Sequence, residues 1–546
     1  MVWRLRPRVV ALWALFVCVF IGLGGSCSPE RYKAQADAEV YKIIDSKWQE
    51  DFGSRANYTV SDARPLPNDI RIGDVMPQSG MLTLAQAVAI ATVQNRDYQG
   101  QKEQLYLSAL DLTAVRHDFA QNWFATVDAG YGRDAADEGV DAGGDIGFDQ
   151  LLSTGAGVTT GIALDWGRFL TGDPRTTLGS ILYARISQPL LGAGRKVALE
   201  NLTLAERRTL YQIRSFNWYR QDFVIQIIEQ YYRVLQQADS LANAKSSYES
   251  KQKLLERLEM EAKEGRTARF QVDQAEQSTL SAWDGYVRAE QNYKQLLDRF
   301  KIELSLPVSA EITLDPNELQ ALVDIGISQP NYPPVAAVET ALANRLDLAN
   351  SRDQVEDAER WVKVVVDDLG IQLELVADAS VDSTEPTEYR RLQFHNGTYT
   401  LGLEGDLPID RKDQRNTYRE ALISLQQRRR QYDEEAATVE LEVRDAYRRL
   451  LEEAESYKTQ KLGVELAEKR VAVNPLLWEA QRATTRDLLE AQDALQRAKN
   501  SLTSALVNHT MAKLAFFRDV GLLRVRPDGM WEQGEYGPAA RADAKE

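Results

Sequence analysis

The chain has 546 residues, and its 81 Asp and Glu residues outnumber its 65 Lys and Arg residues, which gives a formal net charge of −16. This acidic balance excludes the class of proteins that bind nucleic acid through a basic surface. Two cysteines are too few for a disulfide scaffold or a Cys-rich zinc site, and a hydrophobic content of 44% argues against a largely disordered chain.

The first 27 residues have the pattern of an export signal. Three arginines precede an apolar run at residues 9–23, and small residues lead from this run to Cys27. Such an order is typical of a secretory signal, and the segment resembles a bacterial lipoprotein signal. We therefore expect residues 1–26 to be a signal peptide and Cys27 to carry lipid, with Ser28 favouring the outer membrane. The alternative is an uncleaved membrane anchor.

Two segments far apart in the chain match each other at a constant spacing. Residues 265–275 align with residues 481–491, and the same kinds of element surround both segments. We interpret this match as a tandem duplication that is joined through a Pro-rich linker. The predicted divisions are an N-terminal extension at 27–80, a first repeat at 81–306, the linker at 307–334, a second repeat at 335–523 and a flexible tail at 524–546.

Each half is predicted to contain very long helices. Residues 195–264 are rich in helix formers, and a helix of this length would reach on the order of 100 Å. A second helix is expected over 269–304. The second half is expected to repeat this plan with a helix over 412–473, an interruption at Asn474-Pro475, a turn near 482–485 and a helix to Arg518. Helices of this length require neighbours along their whole length, as in coiled coils or helical barrels.

Segments before the long helices alternate between apolar and polar residues, as half-buried or membrane-crossing strands do. We assign four crossings to one chain, at residues 123–131, 182–188, 371–381 and 399–406. The chain must return to the side of the membrane where the helices lie, so the number of crossings must be even. Residues 158–166 are therefore expected to belong to an outer loop or its hairpin. Residues 134–149 are expected to form an exposed loop. The alternative is a soluble sheet. Four strands cannot close a barrel, so three copies with twelve strands are expected.

The chain resembles the TolC outer-membrane efflux channel family over residues 81–523. The residues that carry the resemblance are Leu82-Thr83-Leu84-Ala85-Gln86-Ala87, Gln188-Pro189-Leu190-Leu191 with Gly194-Arg195, Asp406-Leu407-Pro408, and the two tip segments 264–272 and 483–491. The family implies a mixed, predominantly α fold, in which a trimeric periplasmic α-barrel continues a 12-strand outer-membrane β-barrel. It also implies an exit duct for efflux or type I secretion, with a periplasmic adaptor and an inner-membrane pump as partners.

The resemblance also implies roles for the tips of the two helical hairpins. Asp487 and Glu490 match the acidic positions that surround the periplasmic gate, and their spacing of three places them on one helical face. The alternative is that both are simply solvated helix surface. The expected adaptor contacts are Gly265, Arg266, Thr267, Arg482, Ala483 and Thr484.

The sequence contains no catalytic constellation or phosphate-binding loop, and its three histidines are too far apart for a metal motif. We therefore expect neither an enzyme nor a cofactor. A competing hypothesis is a lipid-anchored coiled-coil spacer of the cell envelope that forms no pore. The two hypotheses differ at the alternating segments, which a spacer does not require.

Overall fold

The computed structural model describes residues 28–49, 52–77, 80–133, 138–169, 176–192, 194–327, 333–384, 388–407, 409–528 and 530–533. The expected signal peptide, Cys27 with its expected lipidation and most of the expected C-terminal tail lie outside these residues.

Two pairs of long helices and one large sheet make up most of the described chain. The helices are α1 (Pro29–Lys47), α2 (Ile72–Val75), α3 (Leu84–Gln94), α4 (Arg96–His117), α5 (Gly194–Lys263), α6 (Arg269–Glu303), α7 (Asn317–Ile325), α8 (Pro334–Asn344), α9 (Leu346–Asp368), α10 (Lys412–Glu479) and α11 (Thr485–Asp519). The strands are β1 (Met81–Leu82), β2 (Asn122–Arg133), β3 (Glu138–Leu151), β4 (Gly157–Phe169), β5 (Thr176–Leu191), β6 (Thr313–Leu314), β7 (Gln372–Thr384), β8 (Glu388–Leu392), β9 (Thr398–Asp406), β10 (Leu523–Val525) and β11 (Trp531–Gln533).

The longest helices, α5 and α10, contain 70 and 68 residues. The expected interruption at Asn474-Pro475 is wrong, because Pro475 lies inside α10, which continues to Glu479. A proline removes one backbone hydrogen bond from a helix interior. The neighbouring Asn474 donates from Nδ2 to the carbonyl oxygen of Asp487 on α11 at 3.0 Å, which ties this part of α10 to its partner helix.

The helices pack in pairs, and one apolar core lies where the short helices cover the long ones. α5 packs along α6, and α10 packs along both α9 and α11. The middle of α5 and the end of α11 meet α1, α3 and α4 in a single core cluster. Its largest fully buried apolar side chains are Tyr98, Phe216, Tyr231, Phe300 and Phe516. Burial of five aromatic side chains fixes how the two halves pack together.

The two halves share one antiparallel sheet with the strand order β2-β3-β4-β5-β7-β9. The short strand β8 pairs with the C-terminal end of β7. The halves join through β5 and β7, where Leu182 lies opposite Val381 and Ile186 lies opposite Ala377. The sheet is curled into a half-barrel. Each half therefore has the order of helices, strands, long helix, turn and helix that the duplication predicts.

The expectation of an exposed loop at 134–149 is wrong for its described part. Residues 138–151 form β3, which pairs with β2 over residues 138–149. Residues 158–166, which were expected in an outer loop or its hairpin, belong to β4 and pair with β3 and β5. The composition was misleading because Gly143 and Gly147 lie beneath side chains of the neighbouring strand β2, where a Cβ atom would collide with Asp128 or Phe124. The sheet of one chain thus has six long strands where four were expected.

Candidate functional site

The two long-helix pairs reverse direction through the same backbone turn. Gly265 and Gln481 both have positive φ, at 74° and 58°. The next residue in each turn donates its N–H five residues back, from Arg266 to Glu261 at 2.8 Å and from Arg482 to Leu477 at 2.7 Å. This is the Schellman arrangement, which satisfies carbonyl groups at a helix end. The equivalence explains why the tips match in sequence although one has Gln where the other has Gly.

The two tips lie side by side at one end of the molecule. On the outgoing helices, the Arg257 guanidinium contacts the Glu479 carboxylate at 3.2 Å and lies 4.8 Å from the ring centre of Trp478. On the returning helices, the Thr485 hydroxyl donates to Oε1 of Gln271 at 3.3 Å. The structure therefore brings together the six residues expected to contact an adaptor, which occupy these turns: Gly265, Arg266, Thr267, Arg482, Ala483 and Thr484.

Asp487 is the third residue of α11 and forms a capping box with Thr484, the residue before the helix. Its Oδ2 accepts from the backbone N–H and from the hydroxyl of Thr484, both at 2.7 Å, and its own N–H is paired with the Thr484 hydroxyl at 3.3 Å. Hydrogen bonds to the ionised form lower the pKa of Asp487 below its ordinary value of 3.8, with the backbone N–H of Thr484 as the largest cause. The negative charge is held in a fixed position at the tip.

Glu490 lies one turn further along α11 and pairs with arginines. Its carboxylate contacts Arg486 at 2.7 Å and Arg470 of α10 at 3.9 Å. The same contact with Glu490 raises the pKa of Arg486, so that this guanidinium stays charged. The structure places Asp487 and Glu490 near one another on one helix, as their spacing predicts, but each already has a partner within its own chain.

The sequence analysis did not predict one ion pair, which lies on the long helices a few turns from the tips. Lys251 on α5 is buried, with 4% of its surface exposed, and its Nζ lies 2.6 Å from a carboxylate oxygen of Asp493 on α11. The two residues are 242 positions apart. Because neither forms a motif by itself, only the packing of α5 on α11 reveals that this ion pair joins the two helical hairpins.

The opposite end of the molecule carries the sheet, whose two faces differ in character. The alternation of side chains and the strand register place these apolar residues on one face: Trp123, Val127, Ile146, Ile162, Leu164, Leu182, Ile186, Tyr399, Leu401 and Leu403. Many are strongly exposed, including Trp123 at 69% and Leu401 at 76%. A contiguous exposed apolar face of this extent indicates contact with lipid or protein.

The other face of the sheet is acidic. Its carboxylates are Asp128, Asp141, Asp145, Asp149, Asp165, Glu374, Asp378, Asp382, Glu404 and Asp406. Some have partners on this face, where the Tyr183 hydroxyl donates to Asp145 at 2.8 Å and Arg185 lies 3.7 Å from Asp378. Side chains converge closely here, since Cβ atoms at Gly130 and Gly143 would lie against neighbouring aspartates. Such convergence is expected on the concave side of a curled sheet.

Two further features can be stated for the described residues. Within the ranges that the structure describes, no group of three or more His, Cys, Asp or Glu side chains could hold a metal ion. Among the helices of the same ranges, none is both long and apolar enough to cross a membrane.

No family model and no curated protein sequence matches the chain, so its known similarities are to solved structures. The outer membrane protein VceC of Vibrio cholerae aligns with a TM-score of 0.59 and 13% identity over 80% of this chain and 96% of VceC. The outer membrane channel CmeC of Campylobacter jejuni aligns with a TM-score of 0.57 and 14% identity over 88% of this chain and 92% of CmeC. The open state of the channel MtrE of Neisseria gonorrhoeae aligns with a TM-score of 0.58 and 11% identity over 80% of this chain and 88% of MtrE.

The chain has the fold of an outer-membrane channel. The likeness includes nearly the whole length of these proteins, so it covers the long helices together with the half-barrel sheet. This agrees with the fold expected from the resemblance to the TolC family, apart from the two additional long strands.

Proposed function

We propose that the protein is the outer-membrane exit duct of a tripartite efflux pump or type I secretion system. The observation that carries this proposal is the sheet, which is apolar and exposed on one face and acidic on the other. In a membrane barrel the apolar face would contact lipid, and the acidic face would line a water-filled lumen. The helices of about 100 Å would extend from this sheet across the periplasm.

The sheet of one chain is open at both edges and needs further copies. Within the described strands, β2 pairs on one side with β3, and β9 pairs on one side with β7. Unpaired backbone groups cost several kcal/mol each in lipid, so a membrane-spanning sheet must close into a barrel. A homotrimer, which the TolC resemblance implies, would pair β2 of each copy with β9 of the next.

The two tips would then face the periplasmic partners. An adaptor would contact the turns at Gly265–Thr267 and Arg482–Thr484, and an inner-membrane pump would supply the energy. Asp487 and Glu490 would surround the gate at the axis. Lipid on Cys27 would anchor the N-terminus in the outer membrane, beside the barrel. Since the helix tips and the sheet lie at opposite ends of α5 and α10, one chain can serve both layers of the envelope.

Purification in detergent tests the duct against the competing spacer. The duct predicts a trimer that contains heat-modifiable β-sheet and conducts ions in planar bilayers. A water-soluble rod without strands, or a trimer that never conducts, would favour the spacer and remove the duct. The exposed apolar face argues for the duct, because a spacer that stays in water gains nothing from exposing nine large apolar side chains.

The gate is tested by the double substitution Asp487→Asn with Glu490→Gln. We expect lower cation selectivity and weaker block of conductance by divalent cations, because the substitutions remove charge from the tip while preserving the size of the side chains. The matched control is Glu452→Gln with Glu455→Gln on the exposed surface of α10. Unchanged selectivity and block in the tip variant would assign Asp487 and Glu490 to solvated helix surface.

A further inference from the structure

The hairpin of β3 and β4 spans the full height of the sheet. β3 has 14 residues and pairs with β2 from Asn122↔Asp149 to Arg133↔Glu138 without a register shift. β4 has 13 residues and pairs with β5 from Gly157↔Ser187 to Arg168↔Thr176. A transmembrane strand needs about 9–11 residues. Both strands are therefore long enough to cross a membrane and are fully integrated on both sides.

The turn between β3 and β4 returns to the end of the sheet where the helices begin. The Leu151 N–H donates to the carbonyl oxygen of Asp118, just after α4, at 3.0 Å. The Gln150 side chain donates to the carbonyl oxygen of Phe119 at 3.2 Å. From the other side, the Gln188 side chain donates to the carbonyl oxygen of Thr154 at 3.2 Å. An outer loop or its hairpin would not reach this level, since it would stay at the far end of β2 and β5.

The hairpin also has the same two faces as the strands on either side of it. Ile146 and Ile162 lie on the apolar face and are exposed by 58% and 42%. Phe148 packs against Trp123 of β2 on that face, with ring centres 5.2 Å apart. The opposite face of the hairpin carries four carboxylates, those of Asp141, Asp145, Asp149 and Asp165. A plug inside a lumen would not need an exposed apolar face that continues the faces of its neighbours.

We infer that the β3–β4 hairpin is a crossing part of the barrel wall, so that each chain supplies six crossing strands rather than four. This inference rests on the proposed trimer for its closure: three chains with six strands each give an eighteen-stranded barrel. Barrel diameter grows roughly linearly with the number of strands, and barrels of 16–18 strands enclose an aqueous channel. The lumen is wider than that of the twelve-stranded barrel that the family resemblance implies, and the hairpin lines it with carboxylates.

A labelling experiment on the full-length protein tests whether the hairpin touches lipid. Single cysteines at Ile146→Cys and Ile162→Cys receive an environment-sensitive fluorophore, and the protein is placed in vesicles whose acyl chains carry a nitroxide quencher. Leu401→Cys on β9 is the positive control, Glu452→Cys on α10 is the negative control, and the parent chain gives the background. We expect quenching at positions 146 and 162 to match that at 401. Quenching as low as at 452 would overturn the inference.

A deletion then tests the consequence for the pore. Joining residue 137 to residue 170 removes the hairpin and leaves β2 free to pair with β5 in antiparallel orientation. We expect the diameter of the largest neutral polymer that enters the pore from the outer side to fall by about one third, because barrel diameter scales with strand number. Entry from the outer side depends on the barrel and not on the proposed gate at the helix tips. A larger limiting diameter would identify a plug, and an unchanged one a peripheral hairpin; either result contradicts the inference.

The two experiments separate this inference from the proposed function. If the parent chain forms no trimer and conducts no ions, the duct fails, while quenching at positions 146 and 162 still decides whether the hairpin crosses lipid. If the parent trimer conducts and the labels remain unquenched, the duct survives and the six-strand wall fails. The labelling result also decides the matter if the shortened chain does not assemble.

Discussion

Asp487 illustrates how a single carboxylate at the second tip is constrained before any partner copy is considered. It accepts two hydrogen bonds from Thr484, which lower its pKa and orient its charge. Glu490, one turn away, is paired with Arg486 and Arg470. The charge that a gate would present at the axis therefore depends on the arginines as well as on the acids. This makes the tip a balanced charge cluster rather than a bare acidic ring.

The capping box predicts a local pH dependence. Because the folded-state pKa of Asp487 lies below its unfolded value of 3.8, the ionised cap stabilises the start of α11 above that value, and the contribution is lost as the pH falls through the folded-state pKa. We expect amide exchange at residues 485–489, corrected for intrinsic rates, to accelerate as the pH is lowered from about 5 to about 2.

The variant Asp487→Asn provides the control for this measurement. It keeps a side-chain acceptor for Thr484 but has no carboxyl group to titrate, so exchange at the same amides should lose most of its pH dependence. If the variant accelerates as strongly as the parent chain over this interval, another group is responsible and the assignment to Asp487 is wrong.

At the scale of the helices, the equivalence of the two turns gives a paired prediction. Gly265→Ala should destabilise the first tip by about 1–2 kcal/mol, because an L-residue in the left-handed region carries that cost and no neighbouring atom lies within 4 Å of the added Cβ. Gln481→Gly should be neutral or stabilising, since it relieves the same strain at φ 58°. Thermal unfolding of the two single variants checks both signs, and a stabilising Gly265→Ala would contradict the shared turn.

The contact of the two hairpins depends on the buried pair Lys251–Asp493. Asp493→Asn removes the partner carboxylate and leaves the buried Lys251 ammonium without a counter-charge, so we expect a loss of about 3 kcal/mol in the packing of α5 on α11. The readout is faster amide exchange in both helices near the pair, with Lys251→Met as the milder variant, because it removes the buried cation and leaves only the partly exposed Asp493 unpaired. Equal exchange in Asp493→Asn and the parent chain would show that packing alone holds the hairpins together.

At the scale of the whole molecule, the acidic face of the sheet makes an electrical prediction. Ten carboxylates on one face of each sheet create a negative potential inside the proposed barrel, which raises the local concentration of cations. We expect reversal potentials in KCl gradients to show cation selectivity that declines as the salt rises from about 0.1 M to about 1 M, because the Debye length shortens from about 10 Å to about 3 Å.

A variant on the hairpin relates this selectivity to particular residues. Asp145→Asn with Asp165→Asn removes two charges per chain from the acidic face, whereas Glu452→Gln with Glu455→Gln on the exposed surface of α10 removes two charges per chain away from the sheet. Selectivity should fall in the former and stay unchanged in the latter. Equal selectivity in both would place the acidic face outside the conducting path.

Local patterns in the sequence were sufficient for α5, α6 and α11, for the tips and for four of the long strands. The run of helix-forming residues predicts the extent of α5 to within one residue at each end, and alternation identifies β2, β5, β7 and β9. These features depend on residues close together in the chain, where propensity and side-chain period act directly. For the same reason, the match between the tips predicted a shared turn even though Gln481 occupies the position of Gly265.

Features that depend on residues far apart in the chain were decided only by the tertiary structure. Residues 138–151 have a loop-like composition, yet they form a strand because β2 and β4 supply hydrogen bonds on both sides and β2 side chains fill the space above the glycines. Pro475 remains inside a helix beside α11, and Lys251 finds Asp493 across 242 positions. Backbone pairing and burial are satisfied in three dimensions, so a sequence pattern can specify which face a residue occupies while leaving open which strand or helix lies against it.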